Sequence, residues 1–119
     1  MKDYPKYVKR LLRELAPLAY DRELDLELSK LDARFAEWRS GHISGSELNE
    51  HIHNYHNGAS REIWSFYFNG EPDLVVAYAI VAGLLERDET PEEVLAALEL
   101  PIAFHQETAD RGELRIPGK

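Results

Sequence analysis

The chain contains no cysteine. That excludes disulfides, thiolate metal sites and cysteine nucleophiles, and it suits a reducing compartment. Long apolar runs are also missing. The longest, Leu74 to Leu85, has 12 residues, whereas a bilayer-spanning helix needs about 20. The N-terminus lacks the apolar core of a signal peptide. No stretch alternates with period two for long, so no strand is expected. Glycine patterns for phosphate or dinucleotide binding and the Gly-x-Ser-x-Gly elbow are absent, and there are no internal repeats. Basic residues are few, 14 against 22 acidic ones, for a formal net charge of −8. Such a balance repels phosphate backbones, so nucleic acid is not an expected partner. Lys2, Lys6, Lys9, Arg10 and Arg13 form the sole basic segment, read as a solvated helix face. The expected protein is cytoplasmic, with no membrane association.

What the chain does have is helical periodicity. Its 119 residues suffice for one domain, and 44% are hydrophobic, enough to bury a single core. Tyr4, Val8, Leu11, Leu15 and Leu18 recur at 4-3-4-3 spacing about a helix start near Pro5, a residue tolerated there. Leu24, Leu28, Leu31, Phe35 and Trp38 repeat that rhythm out of phase with the first set. Pro17 and the slip near Tyr20–Asp21 predict two helices or one sharply kinked helix over residues 1–40, with Asp21 as a cap, Glu23 in a first turn and Gly41 as the stop. The second stripe has coiled-coil spacing, which an antiparallel bundle within one chain also uses.

Ser44-Gly45-Ser46-Glu47 fits a capping box. The helix it opens carries Leu48, Ile52, Tyr55 and Ala59 on one face, meets a break or kink signal at Asn57-Gly58, and stops at Asn69-Gly70. Trp64, Phe66, Tyr67 and Phe68 lie within five residues, too many to face one core from one helix. Some must be exposed or covered by a partner, which points to a homo-oligomer. Pro72 starts a helix that is apolar all round and therefore central, and Gly83 offers a place for close approach of a neighbour. Thr90-Pro91-Glu92-Glu93 predicts a further capped helix ending at Pro101. A short helix over 102–110 and an extended tail over 113–119 complete an all-α, single-domain bundle of five or six helices spanning 1–119.

Three of the five histidines fall within six residues, His51, His53 and His56. At about 100° per residue they divide into two groups. Glu50, His53 and His56 lie together with Asn49 and Asn57 nearby, whereas His51 falls with Glu47 and Tyr55. Imidazole and carboxylate ligands suit a divalent transition metal, and Glu50-x-x-His53 has the spacing of di-iron bundles. A second copy of that motif is missing, so a metal site would need His42, His105 or a symmetric dimer to complete it. A second reading places an anion at a helix start after Gly58, with Asn57, Ser60, Arg61 and Glu62 around it. In a third the histidines are structural.

The stretch Ile52-His53-Asn54-Tyr55-His56-Asn57-Gly58-Ala59-Ser60-Arg61-Glu62-Ile63 resembles a pattern in small bacterial all-helical proteins, a likeness extending from about Ile43 to Leu98 and including Pro91-Glu92-Glu93-Val94. No activity is assigned to that group, so the resemblance implies a helical fold and positions to test. The leading functional expectation is a small self-associating interaction or regulatory protein. The alternative is a metal- or anion-binding protein, an enzyme among the options, using residues 47–62.

Overall fold

In the computed structural model, residues 3–119 are described, so Lys2 of the basic segment lies outside them. Among these residues every regular element is helical. Helix α1 runs without interruption over Lys6–Arg39. Of the two alternatives expected over residues 1–40, two helices or one kinked helix, the chain forms a single helix. Its buried residues, Val8, Leu12, Leu15, Ala19 and Glu23, step through the presumed break at Tyr20–Asp21 in helical register. Packing of that row against the body overrides the local break signals. Pro17 sits on the exposed side of the helix, where the Arg13 carbonyl that loses its donor can meet water.

A turn through Gly41 leads to α2, Gly45–Tyr55. The predicted capping box is present: Ser44 Oγ accepts from the Glu47 amide and Glu47 Oε1 accepts from the Ser44 amide, both at 3.1 Å. His56–Ser60 then form a π-helical segment that passes directly into α3, Arg61–Asn69. Asn57-Gly58 thus neither stops the chain nor starts a new helix; it loosens one turn of a continuous rod. Gly70 ends that rod because of space. A Cβ there would lie 2.6 Å from the Phe66 carbonyl oxygen and 2.7 Å from Val75 Cγ1.

Helix α4, Pro72–Val81, is buried from Val75 to Ile80 and forms the centre of the bundle, packed against α1, α3 and the helix over Glu99–Asp110. Its end explains Gly83. The Leu84 amide donates to Ala79 O at 2.9 Å and the Gly83 amide to Ile80 O at 3.3 Å, a Schellman closure that places Gly83 at φ +86°. No atom lies within 4 Å of a Cβ built at Gly83, so the expected close approach gives way to a conformational role.

Thr90 also departs from expectation. Its hydroxyl donates backward to Glu86 O at 2.8 Å and does not cap α5, Glu92–Ala97. Helix α6, Glu99–Asp110, begins before Pro101, which occupies its first turn, where a missing N–H costs little. The tail after Gly112 is irregular and folds back along α1. No helix among the described residues is long and apolar enough to cross a membrane.

Candidate functional site: a trough and an aromatic face

The body and the far half of the molecule differ in burial. Between residues 24 and 62 only Leu48 is buried. This stretch comprises the distal half of α1, α2 and the π segment, an arm of two packed helical rods. The two sides of the arm carry different chemistry.

One side is a trough. Its larger part, about 520 Å³, lies between Glu27, Leu31 and Arg34 of α1 and His51, Tyr55 and Ala59 opposite, with Lys30, Ala33 and Asn54 completing the rim. Glu27 and Ala59 also border a hollow of about 280 Å³ that continues toward Glu62, Arg115 and Lys119. The ionic groups of the rim are largely paired: Lys30 Nζ lies 2.9 Å from Glu27 Oε2, and Arg34 Nη2 lies 2.7 Å from Glu37 Oε1.

The other side is aromatic. Trp64 and Phe68 stack at 5.2 Å, and Phe68 meets Tyr20 edge-on at 5.4 Å. Trp64 is 51% exposed, Phe68 61% and Leu28 43%. Helix geometry separates the sides. Leu28 stands about 200° around α1 from Lys30, and Trp64 the same angle around α3 from Glu62. Of the four clustered aromatics, Tyr67 is buried and Phe66 half-buried, while Trp64 and Phe68 face outward.

The histidine cluster does not converge. Glu50, His53 and His56 are exposed, and the His53 ring accepts from Asn57 Nδ2 at 3.0 Å. Among the described residues no three His, Asp or Glu side chains form a group that could hold a metal. Glu47 is committed to the cap, so it does not join His51, which alone of the three histidines enters the trough. His42 pairs with the Ser40 hydroxyl. The His105 ring packs edge-on against Tyr78 at 6.0 Å, and burial lowers its pKa. The anion reading loses its premise because the helix is continuous through Ser60 and Arg61, whose amides belong to its interior. Ser60 and Arg61 border a hollow with Tyr20 and Trp64 on the aromatic side, while Glu62 faces the trough.

Sequence reasoning missed the most buried polar group. Glu23, 1% exposed, accepts from the Tyr67 hydroxyl at 3.0 Å and from both terminal nitrogens of Arg115. The Arg115 guanidinium lies 4.8 Å over each of the Phe66 and Tyr78 rings, and Tyr78 Oη donates to the Arg115 carbonyl at 2.7 Å. The clasp joins α1, α3, α4 and the tail. Burial, then the negative charge of Glu23, raises the Tyr67 pKa far above the ordinary phenol value. Burial pushes Tyr78 up to about 12. Both hydroxyls stay protonated at neutral pH, so they serve as fixed donors. The available signal was register: Glu23 falls four residues after Ala19 on the buried row.

Searches against family models, curated proteins and solved structures found no match.

Proposed function

We propose that this chain is a cytoplasmic interaction protein that self-associates through the aromatic side of its arm. The observation that carries the reading is the burial of a single residue, Leu48, between residues 24 and 62. Two helices cannot enclose a core between them, and the usual solution is a second helical pair completing a four-helix bundle. On that side α1 presents Leu28, whereas Leu31 turns into the trough and Leu24 packs on the body. Tyr20, Trp64 and Phe68 extend the apolar surface onto the body.

A second copy suits this surface electrostatically. The chain carries −8 overall, yet residues 24–39 hold four acidic and three basic residues, so most of the self-repulsion resides elsewhere. The cysteine-free composition is in keeping with the cytoplasm.

The test is sedimentation velocity at micromolar concentration. The unmodified chain is expected to run as a dimer or larger, and Leu28→Glu or Phe68→Glu as a monomer of unchanged helix content. A monomeric unmodified chain overturns the proposal.

A further inference from the structure

Glu23 forms the floor of a cation site whose cation comes from outside the helical body. The carboxylate is 1% exposed, and among the described residues the cation paired with it is Arg115 of the tail. The Arg115 side chain is 45% exposed, so it enters from the solvent side. Its two terminal nitrogens meet the two Glu23 oxygens, the fork geometry that distinguishes a guanidinium from an ammonium. The Phe66 and Tyr78 rings flank its Cζ at 4.8 Å each, and the Tyr67 hydroxyl holds Glu23 Oε1 at 3.0 Å. A buried carboxylate, an orienting phenol and two flanking rings are the elements of a cage for a flat cation. All four groups belong to α1, α3 and α4, and the guanidinium alone belongs to the tail.

The tail is tied down at one residue. Residues 113–119 form no regular element. Among the described residues, every hydrogen bond from 114–119 to the helices runs through Arg115: its guanidinium donates to Glu23, and its carbonyl accepts from Tyr78 Oη at 2.7 Å. The adjoining hollow of about 280 Å³ continues the charge pattern, with Glu62 on its helical wall and Lys119 on the tail; Glu27, on the same wall, is already held by Lys30. Without the tail the body would present an acidic, ring-lined groove whose buried carboxylate has no helical counterion. From this charge complementarity we propose that the groove recognises an extended, arginine-bearing segment of a partner protein, and that the tail fills it in cis as a displaceable strap. The ligand's arginine follows an apolar residue, as Arg115 follows Leu114, because Leu114 packs against the core. The proposal does not rest on self-association, because Leu28, Trp64 and Phe68 take no part in the groove.

The test is an NMR titration of the isotope-labelled full chain with an unlabelled, N-acetylated peptide of the sequence of residues 113–119. In the unmodified chain the amide signals of 114–119 should move saturably to random-coil positions as the peptide takes the groove. The midpoint should lie in the millimolar range, because a short tether holds the strap at an effective concentration of that order. Arg115→Ala weakens the competitor and should lower the midpoint roughly tenfold. The same peptide with lysine in place of arginine should bind at least tenfold more weakly, because an ammonium cannot form the fork. Glu23→Gln combined with Arg115→Ala leaves no buried charge unpaired; it should fold and bind no peptide. Tail signals that stay in place at several times the effective concentration overturn the proposal, and this arm needs no variant to fold. So do equal binding of the lysine peptide, a midpoint unmoved by Arg115→Ala, and binding that survives in the double variant. In Leu28→Glu, tail signals that move with the concentration of the chain alone would mean exchange between copies and would overturn a separate partner. A monomeric unmodified chain that binds the peptide would overturn self-association and leave this site standing.

Discussion

At the scale of the residue, Glu23 governs the energetics of the body. A carboxylate so deeply buried needs partners, because removing a charge from water without them costs several kcal/mol. Tyr67 and Arg115 supply them. Replacing Tyr67 by Phe keeps the ring in the core and removes one donor, at an expected cost of about 2 kcal/mol, measured as a lower denaturation midpoint at unchanged slope. The same hydroxyl sets an alkaline limit. Below pH ~10 the tyrosines of folded and unfolded chains are both protonated. Above it the unfolded chain releases protons first, since burial holds Tyr67 and Tyr78 protonated in the fold. Stability therefore falls as pH rises from about 10, with the Tyr78 contribution extending toward 12. Tyr67→Phe should reduce that slope and leave the part due to Tyr78. A slope equal in both proteins would show that Tyr67 ionises as freely in the fold as in the unfolded chain.

At the scale of the element, helix existence was legible in the sequence and helix ends only partly so. The capping box at Ser44 and the stop at Gly41 were correctly read because local chemistry alone decides them. Of the two readings at Tyr20–Asp21, separate helices do not form, because the row from Val8 to Glu23 packs on α4 and α3, a tertiary fact that local propensity does not carry. The same limit hid the clasp, since an acid in a first turn attracts no suspicion whereas an acid on a buried row demands a cation. The histidines are close in sequence without gathering a ligand set: Glu50, His53 and His56 are exposed, and among the described residues no three His, Asp or Glu side chains could hold a metal. Glycine shows the distinction experimentally. Gly83→Ala meets no neighbour and is opposed by its positive φ alone, about 1–2 kcal/mol. Gly70→Ala has an ordinary φ of −84° but drives a methyl into the Phe66 carbonyl and Val75. It should cost more, and a second change, Val75→Ala, should recover part of the loss at Gly70 and none at Gly83. Equal recovery at both positions would refute the steric account.

At the scale of the whole molecule, shape and function meet. The extents are 54 × 30 × 25 Å and the radius of gyration is 17.0 Å, against about 13.5 Å for a compact domain of this length. The 34 residues of α1, about 51 Å at 1.5 Å each, account for the long axis. Cohesion is unequal along it. The body gathers nearly all buried apolar side chains around α4, whereas the arm holds one. Local opening free energy follows buried contact, so the arm should open far more readily than the body. Native-state hydrogen exchange tests this directly. In dilute protein, amides of α2 and of α1 beyond Leu24 should exchange through local openings of low free energy, while those of α4 exchange only with global unfolding. Raising the protein concentration should then slow the arm selectively, because a second copy binds the closed arm and not the open one, and mass action deepens its protection. Leu28→Glu should abolish that dependence and leave the exchange of α4 as it was. Arm protection that equals that of α4 at every concentration would mean that the arm is stable alone, and the case for a second copy would lose its physical basis.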